Sequence, residues 1–241
     1  MRDDIYAKPI DWVENFTFDD SVARVFQDMI SRSVPGYRTT LAMIGVIASR
    51  MVQPQSRIYD LGCSLGAGSL IAANARSDVP YEVHAIDTSA PMLERCEKEI
   101  QTNPPSNPIL LHQQDLRETP IQNASVVILN FTLQFIPLAD RLCLLQKIHQ
   151  GLNPGGALIL SEKIHFDDVE EEALLYQLHH DFKRRNGYSD LEISQKRTAL
   201  ENTLITESLP THKERLHQAG FDRICTWFQC FNFTSLIAVK A

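Results

Sequence analysis

Between Asp60 and Gly68 the chain reads Asp60-Leu61-Gly62-Cys63-Ser64-Leu65-Gly66-Ala67-Gly68, with three glycines where an apolar run gives way to a helical one. Gly62 permits a tight turn, and Gly66 and Gly68 let the backbone approach a ligand closely. Free N–H groups at the helix start can hold a carboxylate or phosphate. The chemistry on offer is the binding of an anionic small molecule. The spacing G-x-x-x-G-x-G departs from the dinucleotide fingerprint G-x-G-x-x-G, so the loop alone is a modest signal. Asp87 lies about 20 residues further on, at the end of a second apolar run, where a carboxylate can accept from both hydroxyls of a ribose; it reads alternatively as a helix cap. Asp115 follows a third run and Asn130 ends a fourth. Polar residues at successive strand ends fall on one carboxyl edge, where open α/β sheets bind ligands.

The elements that must position these residues alternate in type. Strands are expected at 57–61, 81–86, 109–111, 126–129 and 157–160, with helices at 68–76, from a Ser89 cap to about Ile100, and at 139–151. Val126-Val127-Ile128-Leu129 is apolar throughout, as in a parallel strand covered on both faces. Two helices precede the first strand, one capped by Asp19 or Asp20 and one from Tyr37 to about Val52. Asn153-Pro154-Gly155-Gly156 reads as a tight turn. After Ser161 the alternation stops: residues about 167–205 read as consecutive helices, an insertion, before a helix at 211–219 and strands at 221–230 and 231–239. The expected fold is α/β and Rossmann-like, a mostly parallel seven-stranded sheet with helices on both faces. The division is an N-terminal arm and helix over 1–36, then an α/β domain over 37–241 carrying the insertion. Residues 1–20 have no sustained period and are ordered only by docking.

Composition narrows the function. The 241 residues are 44% hydrophobic and 22% charged, which suits a globular chain with a substantial core. Thirty acidic against 23 basic residues leave −7, so there is no global positive field for a polyanion and direct nucleic-acid binding is not expected. The five cysteines lack the close paired spacings of a zinc site or a disulfide framework and fit a reducing, cytoplasmic setting. The acidic start and the lack of any run of roughly 18 apolar residues point away from a membrane.

The combination of the glycine loop, Asp87, Asp115, Asn130 and Leu152-Asn153-Pro154-Gly155-Gly156 resembles the class I S-adenosylmethionine-dependent methyltransferase superfamily. A wider set resembles the carboxy-S-adenosylmethionine synthase family: Arg32-Ser33-Val34-Pro35-Gly36-Tyr37, Leu129-Asn130-Phe131-Thr132-Leu133-Gln134-Phe135, His179-His180-Asp181-Phe182-Lys183, Ser194-Gln195-Lys196-Arg197 and Trp227-Phe228-Gln229-Cys230-Phe231-Asn232-Phe233. That resemblance implies an enzyme using S-adenosyl-L-methionine and prephenate. Its products would be carboxy-S-adenosyl-L-methionine and phenylpyruvate, the former passed to a tRNA carboxymethyltransferase that modifies the wobble uridine to 5-carboxymethoxyuridine. It also implies a homodimer.

Carried over residue by residue, the resemblance puts Gly62, Cys63 and Ser64 at the amino-acid end of the cofactor, Asp87 and Thr88 at the ribose, Asp115 and Leu116 at the adenine, and Asn130 beneath the site. Tyr37 closes over the cofactor and Arg197 grips the new carboxylate, whether within its own subunit or across the dimer; a planar guanidinium suits that task. Without the resemblance, Arg197 reads as a surface ion pair and Lys183-Arg184-Arg185 as a solvated helix end with a secondary capacity to attract prephenate. His179 and His180 face different sides of a helix and make no metal pair, and no metal is expected. Trp227, Phe228, Phe231 and Phe233 read as strand packing.

Overall fold

The computed structural model describes residues 1–241. Its elements in chain order are α1 (Asp20–Ser33), α2 (Tyr37–Met51), β1 (Arg57–Leu61), α3 (Ala67–Ala73), β2 (Glu82–Asp87), α4 (Ala90–Thr102), β3 (Ile109–Gln113), β4 (Ala124–Asn130), α5 (Leu138–Gly151), β5 (Leu152–His165), α6 (Val169–Arg185), α7 (Asp190–Leu200), β6 (Glu207–Ser208), α8 (Leu209–Gln218), β7 (Arg223–Cys230) and β8 (Phe233–Val239). The strands lie in the order β3-β2-β1-β4-β5-β8-β7. The first five are parallel, and β8 enters antiparallel between β5 and β7. Strand order reverses between β1 and β4, so the crevice beyond their carboxyl ends is the expected ligand site of this topology.

Two faces of the sheet make two cores. Along β4, Val126 and Ile128 pack with Ile44, Ala48, Ala72 and Ala73 of α2 and α3, whereas Val127 and Leu129 pack with Leu144, Leu145 and Ile148 of α5 and Leu216 of α8. Strand periodicity thus divides one unbroken apolar run between two helical layers. A third cluster caps the carboxyl edge, joining Phe16 of the arm and Val22, Val25 and Met29 of α1 to Met92 of α4 and Ala199 of α7.

Three details differ from the expectations drawn from sequence. The Asn153–Gly156 segment is a bulge inside β5: the register with β4 jumps from Ala124–Leu152 to Val126–Ala157, and Gly155 takes a left-handed φ of 75°. Pairing with β8 continues β5 past Leu160, where the apolar run ends, to Lys163, because backbone ladders do not require apolar side chains. Beyond it a two-residue eighth strand, β6, pairs with Ile164 and His165.

The arm is ordered by docking. Asp3 is buried, its carboxylate accepting from the Tyr188 hydroxyl at 2.5 Å and lying 3.6 Å from the Lys196 ammonium. Gln195 of α7 accepts from the Ile10 N–H at 2.7 Å and donates to the Tyr6 and Lys8 carbonyls at 2.9 Å each. The Phe16 N–H donates to the Ala199 carbonyl at 2.9 Å. A segment without a period of its own is therefore held by the insertion.

Candidate active site

A cavity of about 1320 Å³ opens at the carboxyl edge between the sheet, α1, the arm and the insertion. Nine of the ten expected site residues line it: Tyr37, Gly62, Cys63, Ser64, Asp87, Thr88, Asp115, Leu116 and Asn130.

The glycine loop is shaped by what surrounds it. Gly62 and Gly66 have φ of 81° and 80°, and a Cβ at Gly62 would lie 2.5 Å from the Thr132 methyl carbon. Only glycine meets both demands without displacement. A Cβ at Gly68 would stand 2.9 Å from an Asp60 carboxylate oxygen, so α3 starts directly over that group. Asp60 is buried, accepts from the Ser69 hydroxyl at 2.6 Å, and is pushed up to about 6 chiefly by burial. It lines the cavity, although its place in the sequence gives it no role.

Asp87 fixes the loop as well as facing the cavity. One carboxylate oxygen accepts from the Ser64 N–H at 2.8 Å and the other from the Ser89 N–H at 2.9 Å. Each oxygen keeps acceptor capacity for a further donor. Burial raises its pKa against these bonds. The helix-cap reading of this region belongs to Ser89, whose side chain accepts from the Met92 N–H. Ser64 is itself left-handed, at φ 51°, a conformation costly for a residue with a Cβ and sustained here by the bond to Asp87.

Further along the same edge, Asp115 accepts from Arg117 through its guanidinium at 2.7 Å and its N–H at 2.8 Å, and Arg117 reaches on to Asp140. Leu116 is buried beside it. Asn130 ends β4, and its buried Oδ1 has no hydrogen-bond partner. Phe131 turns off the strand with a φ of 61°, and the following helical turn, Leu133–Phe135, is held by Glu162 of β5, which accepts from the Leu133 and Gln134 N–H groups at 2.9 Å each. The Tyr37 ring, at the first position of α2, stands 6.4 Å from that of Phe131; burial, then Asp60, pushes its hydroxyl pKa upward. The Cys63 thiol is pushed up by its hydrogen bond to Cys96 and by burial, which disfavours a thiolate nucleophile.

Arg197 is the exception. It is exposed, does not line the cavity, and lies with its guanidinium carbon 5.6 Å from the Tyr176 ring centre. Its guanidinium lies outside the cavity lining of its own chain, although it acts electrostatically on Lys163. Helix phase is the reason: Ile193 and Ala199 bury one face of α7, Gln195 ties that face to the arm, and the next residue inward is Lys196. Sequence alone could not fix that phase.

Three lysines line the cavity instead: Lys163 at the end of the β5–β8 pairing, Lys183 near the end of α6 and Lys196 in α7. Burial lowers all three, Lys183 to about 7 and Lys196 to about 8. The basic run at the end of α6 divides accordingly. Arg184 pairs outside with Asp181 and Asp190 at 2.7 and 2.8 Å, whereas Lys183 turns inward. Lys163 follows the strand-end rule that picked out Asp87, Asp115 and Asn130; the expected end of β5 at Leu160 hid it. His179 is buried, its Nε2 lies 2.8 Å from the Ser33 carbonyl oxygen, and its pKa is driven down to about 2 by burial and nearby lysines. Since a carbonyl only accepts, Nε2 carries the proton.

A family profile described as a methyltransferase domain matches residues 58–156. The chain is 53% identical over 240 residues to a carboxy-S-adenosyl-L-methionine synthase of Klebsiella pneumoniae subsp. pneumoniae, covering 100% of this chain and 97% of the relative. With a synthase of the same description from Yersinia enterocolitica it shares 54% identity over 244 residues, covering 100% of this chain and 91% of that one. Human N-acetylserotonin methyltransferase in complex with SAM superposes at a TM-score of 0.61 with 16% identity, covering 92% of this chain and 55% of that chain. A putative S-adenosyl-L-methionine-dependent methyltransferase of Methanococcus maripaludis superposes at 0.59 with 20% identity, covering 95% and 96%. At such identities these likenesses speak for the fold alone.

Proposed function

Because the chain belongs to the carboxy-S-adenosyl-L-methionine synthase family, a SAM-using enzyme on a methyltransferase fold, we propose that it carboxylates S-adenosyl-L-methionine with prephenate as carboxyl donor. The residues present fit the nucleoside substrate. Asn130 keeps an unpartnered buried acceptor, Asp87 keeps acceptor capacity for a ribose diol, and buried Asp60 supplies negative charge beside a cationic sulfonium. Gly62, Cys63 and Ser64 would hold the amino-acid end, Asp87 and Thr88 the ribose, Asp115 and Leu116 the adenine, with Tyr37 over the reacting carbon.

The chemistry balances without a protein base. Prephenate loses carbon dioxide and hydroxide and leaves as phenylpyruvate; hydroxide takes a proton from the sulfonium methyl and becomes water; the resulting methylene carbon bonds to the carbon dioxide. The protein's part is to hold both substrates together and exclude solvent, which by itself is worth several kcal/mol of barrier, of order 7–11 in well-oriented systems. The product would pass to a tRNA carboxymethyltransferase, and the five free thiols suit a cytoplasmic setting.

We further place Arg197 in a homodimer, where it would reach a second copy's cavity. Its exposure on α7, with the exposed apolar side chains Val169, Leu174 and Leu191 on the same insertion, supports that reading. The observation that carries the whole proposal is the full-length identity to synthases combined with a cavity whose nucleoside end is built as their reaction needs. The test is to incubate the protein with S-adenosyl-L-methionine and prephenate and to weigh the nucleoside. A species heavier by one carboxyl group is expected; accumulation of S-adenosylhomocysteine instead would mean ordinary methyl transfer. Arg197→Leu should weaken carboxy-S-adenosyl-L-methionine by about 2–5 kcal/mol and S-adenosyl-L-methionine far less. Equal losses, or a monomeric mass in solution, would remove the dimer role.

A further inference from the structure

The cavity is electrostatically incomplete at one end. Lys163 and Lys183 form no side-chain hydrogen bond and no ion pair within 4.0 Å, although both are half-buried and partly desolvated. Lys196 has Asp3 at 3.6 Å, the Ser33 hydroxyl at 3.2 Å and the Tyr188 ring centre at 5.5 Å. Lys183 stands within electrostatic reach of both the others. Like charges gathered in a partly desolvated place cost stability, and Glu172 near Lys163 and Asp3 near Lys196 offset them only in part, so a ligand carrying negative charge would relieve the arrangement. The rest of that end is aromatic: Phe131 and Phe233 meet edge to face with centres 5.9 Å apart, and His179 packs on Phe233 at 4.9 Å. His179 stays neutral there and adds no further cation.

We propose that Lys163, Lys183 and Lys196 form the subsite for the carboxyl donor, binding a small cyclic dicarboxylate whose ring lies against Phe131 and Phe233. Two carboxylates match three amino groups of which one, Lys196, already faces Asp3 at 3.6 Å. A ring of low polarity matches the aromatic wall, which a phosphate or a linear polyol would leave unfilled. The three lysines come from β5, α6 and α7, so the insertion contributes two walls of a two-substrate site; the S-adenosyl group occupies the glycine-loop end. The subsite rests on the synthase reading, and its test separates the two.

Wild-type protein is first assayed with S-adenosyl-L-methionine and prephenate; absence of carboxylated nucleoside there would remove the synthase reading itself. With activity in hand, Lys163→Met and Lys183→Met are each expected to raise KM for prephenate at least tenfold while the Kd for S-adenosyl-L-methionine stays within about twofold, and Lys183→Arg should recover most of the loss. Unchanged KM, or equal losses in prephenate and S-adenosyl-L-methionine binding, would overturn the subsite. Amine labelling of the wild-type protein followed by mass spectrometry tests the same subsite without any variant. Prephenate should protect Lys163 and Lys183 but not exposed Lys98, and inorganic phosphate at the same concentration should not. Equal labelling with and without prephenate, or equal protection by phosphate, would overturn it.

Discussion

The two ends of the cavity are built on opposite terms. At the glycine-loop end, Asp60 accepts from Ser69 and Asp87 from Ser64 and Ser89, and the loop's shape is fixed by left-handed glycines pressed against Thr132 and Cys96. At the insertion end, the Lys163 and Lys183 ammonium groups form no ion pair or hydrogen bond and are contributed by β5 and α6. The first end is preorganised by backbone and short-range hydrogen bonds, with the Asn130 Oδ1 left without a partner. The second holds partly compensated positive charge, which the proposed carboxyl-donor subsite would put to use, and that is where function is expected to cost stability.

The sharpest way to break this contrast is at Gly62. Gly62→Val forces a β-branched residue to φ 81° and into Thr132, and the combined strain should lower affinity for S-adenosyl-L-methionine by roughly a hundredfold or more. Binding by equilibrium dialysis checks it, and a retained affinity would mean the loop is not rigid. Asp87→Ala comes next. It strands the Ser64 and Ser89 N–H groups and removes the ribose acceptor, so the nucleoside, carboxylated or not, should bind about 2 kcal/mol more weakly, with KM for prephenate little changed. A loss confined to prephenate would reverse the two ends.

The insertion end should show itself in stability against pH. The Lys183 amine titrates near 7 when folded and near 10.5 in the unfolded chain. Between those values the unfolded state holds more protons, so this group's contribution to stability rises with pH; below about 7 its penalty is fully present. Lys183→Met should therefore be more stable than wild type at pH 6.5, by about 1–2 kcal/mol, with the advantage shrinking toward pH 10. Denaturant melts at the two pH values read the difference, and a variant less stable than wild type at pH 6.5 would mean the lysine is structural. The smallest effect is expected at the arm. Tyr188→Phe removes the hydroxyl that donates to buried Asp3 and should cost about 1 kcal/mol in the same melts while leaving S-adenosyl-L-methionine affinity unchanged.

Much of the nucleoside end was legible from sequence because its determinants are local. A glycine required by a positive φ, a carboxylate at a strand end and the unbroken apolar run of β4 each express their cause within a few residues. The parallel sheet, the helical insertion and the strand-end residues Asp87, Asp115 and Asn130 that line the cavity follow from such signals, whereas Tyr37, Cys63, Ser64, Thr88 and Leu116 come from the family resemblance. Lys163 escaped because the apolar run stops at Leu160 while the backbone ladder to β8 continues, and pairing of β5 with a strand some seventy residues later leaves no mark on the intervening sequence.

The chain by itself thus determined which residues make the glycine loop, which polar groups end the strands and that helices interrupt the pattern after Ser161, since steric freedom and periodicity are properties of neighbours in sequence. Only the tertiary structure decided that Lys196 faces the cavity and Arg197 does not, and that the arm closes over α7 through Asp3 and Gln195. Helix phase is set by what the opposite face buries, and that partner is chosen in space rather than along the chain.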